Sequence, residues 1–502
     1  MIHLKHLGAM KKITFTIWLA LLSLSFTQAQ NEGKSFTVAQ QQSDFNILKI
    51  ALEHLHPGLT RFNTQQAMDQ HFADLRNALQ TPQTERSLVR LLSQFTAKIK
   101  CSHTYCNPWN MNDEVRKRIY GENPRELPFK FQMLDERMIV TKDLSNEYQL
   151  KRGDEILKIN GIAMPDIVKA FRTVVKKDGN AFPQQMAQME SYAFDYYFPL
   201  FFPVKATYDL EVKQYKGGKK VLLTVKALTK KEWKANMLAR FGKNKTYDDL
   251  WSFAMWDDET AYLEIGTYVT WKMKQNWKKR LKEAFATMKS KGAKRLILDL
   301  RGNSGGLTDA AVVLLRYLYD RPFKFGEKTL LKNYRAEELL PYLNTWNKKA
   351  LTPPARFFKK QANGMYEFLP GKNRKFKPFK NRFKGKVYVL CSAHNGSGGT
   401  STLAHIQEQN LGTIIGQETG GSKEGPIGGQ IFYLTLPNTK MEIDLPVMRG
   451  YMPIKYPEKL QKDKGVIPDI TVKKSIEDIA KGVDTEIEYV KKHLIAREKA
   501  EK

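Results

Sequence analysis

The hydrophobic pattern divides the chain into three textures. From Asn31 to about Lys100 apolar residues recur at helical spacing, with Met68, Phe72, Leu75 and Leu79 on one face and Leu88, Leu91, Leu92 and Phe95 on another. Asn63 or Thr64, and Thr84, stand where helix N-caps belong. From about Leu127 to Leu228 the pattern shortens to strands. LKRGDEILKING, residues 150–161, reads as a hairpin element closed by Asn-Gly, and TYDLEVKQYKGGKKVLLTVKA turns at Gly217-Gly218. The aromatic run SYAFDYYFPLFF, residues 191–202, reads as core filling. After a helical linker, residues 230–242, strands alternate with helices. AYLEIGTYV, RLILDL, VYVL and TIIG read as strands, with NWKKRLKEAFATMKSKG and LTDAAVVLLRYLY as helices between them, which predicts parallel pairing. QIFYLTLPNTKMEIDLPV is a hairpin, GVIPDITV a last strand, and Ser475 with Asp478 opens a terminal helix.

A chain of 502 residues exceeds one compact core, and 42% hydrophobic residues suit a folded protein. The expected organisation is multidomain α+β. It comprises a leader over 1–29, a helical domain over 30–120, a β domain over 121–228, an α/β core over 229–480 with a lysine-rich insertion at 322–384, and a C-terminal helix over 481–502.

The leader reading rests on Lys11-Lys12, an apolar run from Ile13 to Phe26, and TQAQ, the pattern of a secretory signal cleaved after Ala29, with Met10 as a second candidate start. Export to the periplasm or beyond, with no transmembrane span after cleavage, is the expectation. The formal net charge of +30 falls to +27 once the three lysines of the leader are removed. Such a balance favours acidic partners, an anionic envelope surface among them; nucleic acid is set aside for want of any nucleic-acid module. Cys101 and Cys106 in CSHTYC are a candidate disulfide in an exported chain. C-x-H-x-x-C offers only three metal ligands, so no metal or cofactor is expected.

Two glycine-rich turns carry the candidate chemistry. RGNSGGL follows RLILDL and precedes a helix; AHNGSGGT follows VYVLCS and precedes the next. A serine at a strand-to-helix turn exposes its hydroxyl beside unpaired N–H groups at the helix start, where an oxyanion is stabilised. If the turns meet at one sheet edge, they supply a nucleophile and two oxyanion donors.

LILDLRGNSGG, VYVL with Ser397 seven residues after Leu390, IIGQETGG and GVIPDI together resemble the C-terminal processing, or tail-specific, serine peptidases. Gly153, Asp154, Ile156, Leu157, Ile159, Asn160 and Gly161 resemble the signature of a PDZ domain, which captures extended peptide tails by strand addition. The resemblance implies a PDZ-like domain and a crotonase-like α/β peptidase core. In the family the serine lies nineteen residues before the Gly of IIGQETGG, and counting back from Gly416 reaches Ser397, ahead of Ser392 and Ser401.

Lys423 misses the lysine register of one branch by one residue, whereas Ser102-His103 matches the Ser-His pair of the tricorn-like branch. His103 is therefore the expected base, with Lys423 the alternative. Asp463 stands near the branch's acid position, with Glu458 behind it. Backbone N–H groups at Gly305, Gly306 and Gly398 are the expected oxyanion donors. Thr400, where many members carry Glu, is a departure. The function implied is an exported serine endopeptidase acting on extended or unfolded polypeptides held near their C-termini. The alternatives are an inactive peptide- or glycan-binding protein on the same scaffold and an acyl-transfer enzyme of crotonase type.

Overall fold

A computed structural model describes residues 32–455 and 457–496; the leader reading and the end of the terminal helix fall outside them. Helices α1 (Val38–Leu55), α2 (Gln65–Ala78) and α3 (Glu85–Lys98) come first. The hydroxyls of Thr64 and Thr84 accept the N–H groups of Ala67 and Ser87, which fixes where α2 and α3 begin. Met68, Phe72, Leu75, Leu88, Leu92 and Phe95 are buried, so both apolar stripes face one core.

The chain leaves α3 through the CSHTYC turn into a short strand, β1 (Tyr105–Cys106), then α4 (Asp113–Tyr120). His56, just past α1, is buried beneath that turn. Its Nε2 meets the hydroxyl of Thr104 at 2.9 Å and its Nδ1 accepts the N–H of Gly58 at 3.1 Å. With Nδ1 an acceptor, Nε2 carries the proton, and burial lowers the pKa to about 3.

The middle of the chain is an antiparallel sheet of β2 (Phe129–Leu134), β3 (Arg137–Asp143), β4 (Glu155–Ile159), β5 (Thr207–Lys213) and β6 (Lys220–Lys226) in the order β6-β5-β4-β3-β2, with Ile162–Ala163 added to β4. Asn160-Gly161 and Gly217-Gly218 all have positive φ, the conformation their turns demand. Three helices that the strand pattern did not foretell lie between β4 and β5: α5 (Met164–Arg172), α6 (Phe182–Gln188) and α7 (Phe194–Phe201). The aromatic run forms α7 and the π-turn before it despite strand-prone composition, because Phe194, Tyr196, Tyr197 and Phe198 are all buried in the same core.

After α8 (Lys230–Phe241), with its Thr229–Glu232 capping box, comes the α/β half. Its strands and helices are β7 (Trp251–Met255), β8 (Thr260–Ile265), α9 (Trp277–Ser290), β9 (Arg295–Asp299) and α10 (Thr308–Arg316). The stretch read as an insertion carries β10 (Lys328–Leu331), β11 (Leu343–Asn344), β12 (Phe358–Lys360) and β13 (Tyr366–Phe368). Then follow β14 (Lys386–Cys391), α11 (Ser397–Glu408), β15 (Thr413–Gly416), β16 (Ile427–Thr435), β17 (Glu442–Tyr451), β18 (Ile470–Thr471) and α12 (Ile476–Lys481).

One sheet runs β7-β8-β9-β14-β15-β18, parallel throughout except for the β7 edge. The other runs β11-β16-β17-β10-β13-β12, so the basic stretch is built into a sheet with the β16–β17 hairpin. β1 joins that second sheet: Cys106 pairs with Ile443 and Tyr105 with Asp444. The helical N-terminal region is thereby fastened to the α/β half.

Stability is expected to fall on acidification through His56. Below its unfolded pKa of 6.5 the unfolded chain takes up a proton that the folded protein refuses until about 3. Between pH 7 and pH 5 this residue alone should cost about 2 kcal/mol, and urea melts of His56→Asn should lack that part of the pH dependence.

Candidate active site

Ser397 is the first residue of α11 and holds φ +44°, in the left-handed region that a non-glycine residue enters at a cost. The other serines near it are engaged. Ser392 Oγ donates to the carbonyl of Arg301, and Ser401 Oγ donates to the carbonyl of Ser397 at 3.1 Å. Thr400, the departure noted in the sequence, donates to the carbonyl of Asn395 at 3.1 Å and is buried in the turn.

The turns after β9 and β14 interlock, as the alternating pattern led one to expect. Asn395 Nδ2 donates to the carbonyls of Leu300 and Asn303, the latter at 3.1 Å, while Asn303 Nδ2 reaches the carbonyl of Ile265 at 3.1 Å. Contact is backbone on backbone. A Cβ on Gly399 would lie 2.1 Å from the carbonyl oxygen of Asn303, and one on Gly305 would lie 2.8 Å from Cβ of Ser397 and 2.9 Å from the nitrogen of Gly398. Glycine is required at both places.

The three expected oxyanion donors differ in what their N–H groups do. That of Gly305 is spent within its own turn on Asn303 Oδ1 at 2.9 Å. The N–H of Gly398, in the first turn of α11, has no intrahelical acceptor. The nitrogen of Gly306 lies 3.9 Å from where a Gly398 Cβ would be, so the two residues stand side by side next to Ser397.

His103 is half-buried on the turn between α3 and β1, and its ring covers Gly428 of β16: a Cβ at Gly428 would be 3.4 Å from Nε2. The loop from Gly421 to Gly428 spans from the serine turn to this ring. At its start a Cβ on Gly421 would lie 3.2 Å from Cα of Gly396, and along it Arg61 binds Ser422 Oγ at 2.8 Å and the Gly425 carbonyl at 3.0 Å. Ser102 Oγ lies 3.5 Å from His103 Nδ1, and its N–H donates to Asp178 Oδ1 at 2.8 Å. Burial lowers the His103 pKa, with Asp178 opposing and Lys176 adding to the shift, so the imidazole is neutral at neutral pH and able to accept a proton.

The remaining expected residues lie elsewhere. Lys423 is ion-paired to Glu408 at 2.6 Å, at the far end of α11, about 16 Å along the axis from Ser397. Asp463 accepts from Asn180 Nδ2 at 3.0 Å, and its backbone packs on Gly179. The segment Asp178–Asn180 thus stands between Asp463 and the His103 turn, with the N–H of Gly179 on the carbonyl of Lys100 at 3.0 Å. Asp178, which no sequence motif marked, is the carboxylate gathered with His103. Cys101 and Cys106 are free thiols, not a disulfide. β1 draws Cys106 onto Ile443, while Cys101 stays with His103 and Asp178.

A strained serine at a helix start, unpaired amides beside it and a neutral imidazole on the neighbouring sheet define a serine-type hydrolase. Residues 259–472 match the model of Peptidase family S41, and this part of the chain is a serine peptidase domain of that family, in agreement with the resemblance to C-terminal processing peptidases. The fold as a whole is similar to that of mature CPAF, with TM-score 0.63 at 16% identity over 91% of this chain and 96% of that one. It is similar also to mature CPAF complexed with lactacystin, with TM-score 0.65 at 15% identity over 91% and 97%. No curated protein matches the chain by sequence.

Gly399→Ala should destabilise the protein by about 1–3 kcal/mol, the usual cost of overpacking, because the Asn303 carbonyl is itself held by Asn395. A lowered urea midpoint at unchanged m-value is the measurement.

Proposed function

We propose that this protein is an endopeptidase that cleaves extended or unfolded polypeptides with Ser397 as nucleophile and His103 as base, in the manner of the tricorn-like branch. The observation that carries the reading is Ser397 itself, held at φ +44° where the two glycine turns interlock, while the hydroxyls of Ser392 and Ser401 are spent on backbone carbonyls. His103 takes the serine proton as Oγ attacks the scissile carbonyl, and returns it to the leaving amine. The N–H groups of Gly398 and Gly306 hold the oxyanion; Gly305 contributes the close approach that Ser397 needs. Asp178 acts through His103: its charge favours the imidazolium that forms in the transition state, and its bond to the Ser102 N–H fixes the turn. Asp463 supports this arrangement from behind, through Asn180.

The sheet β2–β6 is read as a PDZ-like domain that holds substrate tails, and the +27 charge left after leader removal suits export to an anionic envelope. Among the described residues no helix is long and apolar enough to cross a membrane. A cavity of about 500 Å³ next to Gly429 and Gln430, one residue from the glycine under His103, is lined by Leu331, Tyr334, Phe358, Phe432 and Met448. It accepts an apolar side chain of the substrate. A charge there, as in Met448→Asp, should raise KM for substrates with apolar residues near the cleavage point while kcat changes little.

The decisive experiment is cleavage of an unfolded polypeptide by purified variants. Ser397→Ala and His103→Ala should each lose at least about 10³-fold in kcat/KM, and Lys423→Ala should stay near wild type. Full activity in Ser397→Ala overturns the proposal. Asp178→Asn should lower the maximum and, since Asp178 holds the His103 pKa up, move the acidic limb of the kcat/KM profile to lower pH. An unmoved limb would assign Asp178 to the fold alone.

A further inference from the structure

The proposed base and its carboxylate share a cluster with a thiol that has no part in peptide cleavage. The thiol of Cys101, a carboxylate oxygen of Asp178 and a ring nitrogen of His103 all lie within 4.8 Å of one another. Cys101 is 2% exposed and Asp178 4%, whereas His103 is half-buried. In the sequence C-x-H-x-x-C offered too few ligands for a metal to be expected; in the fold Cys106 is drawn off into β1 and Asp178 arrives from a distant segment in its place.

We propose that these three side chains bind a thiophilic divalent cation, zinc in the first instance, and that the bound metal switches the peptidase off. Tetrahedral zinc with ligand bonds of about 2.0–2.3 Å needs its donors about 3.3–3.8 Å apart, so the cluster closes on the metal by shifts of about an ångström, with water as the fourth ligand. One thiolate, one imidazole and one carboxylate suit zinc or cadmium and not magnesium or calcium, which take oxygen ligands. Binding replaces the thiol proton, which leaves to solvent; no electron is transferred. Lys176, whose charge helps to lower the His103 pKa, holds its ammonium over the ring of Tyr105 at 3.3 Å.

Inhibition follows from the chemistry of the ring. A neutral imidazole has one nitrogen lone pair in its plane, and that pair is what accepts the serine proton. A metal on either nitrogen consumes it, so the base is lost while Ser397 and the oxyanion amides are untouched. This inhibitory role rests on His103 being the base; the binding site itself does not.

The test has two arms on the full chain. Cadmium titration should give an ultraviolet thiolate-to-metal charge-transfer band of one equivalent, absent in Cys101→Ser and present in Cys106→Ser. The band is read without any substrate, so it stands or falls apart from the peptidase reading. Zinc should inhibit cleavage of an unfolded polypeptide in wild type. Cys101→Ser should keep its metal-free activity and need at least about tenfold more zinc for half-inhibition. If Cys101→Ser does not fold, His103→Ala and Asp178→Asn serve for the absorbance arm, each weakening cadmium binding at least about tenfold. A band that survives loss of Cys101 or of both other ligands, no band at all, or equal zinc sensitivity in Cys101→Ser overturns the proposal.

Discussion

Two backbone pairings decide whether this protein has a site. Cys106 with Ile443, and Tyr105 with Asp444, attach the end of the helical region to the sheet that also contains Gly428. His103 lies two residues before that attachment, so main-chain hydrogen bonding carries its turn up to β16. His56 and Arg61 reinforce the same junction, one beneath the turn at Thr104 and the other across to Ser422 and Gly425. A buried neutral histidine and a partly buried arginine are both unfavourable in isolation; His56 finds its partners in Thr104 and Gly58, and Arg61 finds its own across the junction.

The serine side is built on an opposite principle. There, side chains are removed. Gly305, Gly399 and Gly421 bring backbone to within a distance that a methyl group would forbid, and Asn303 and Asn395 satisfy the carbonyls that close approach leaves without partners. The result is a rigid seat on which a strained Ser397 is affordable, with α11 directing its first amides at the same space.

Much of this was legible in the sequence because it is local. Thr64 and Thr84 cap where they should, Asn160-Gly161 turns, β8, β9, β14 and β15 alternate with their helices, and Ser397 falls at two concordant spacings. Asp178 could not be found that way. It lies 75 positions from His103, between α5 and α6 in a region whose pattern read as strands, and no spacing rule connects them. The pairing of the lysine-rich stretch with β16–β17 was hidden for a similar reason: antiparallel partners from distant segments share no period. Cys101 and Cys106 look like a bonded pair when only their separation is considered, and strand pairing pulls them apart.

The Asp-Leu-Arg-Gly segment before the first glycine turn has its own anchor. Arg301 binds Asp299 and also Asp484, at 2.6 Å, and Glu486, at 3.1 Å, beyond β18. Those two acids are among the last described residues to leave the ribosome. Asp299 is at hand two residues away, but the bonds to Asp484 and Glu486 need a segment 183 to 185 positions further on. The serine seat is therefore fully tied down only when the chain beyond β18 has folded back onto the turn, so a group far from the reaction in sequence helps to hold its geometry.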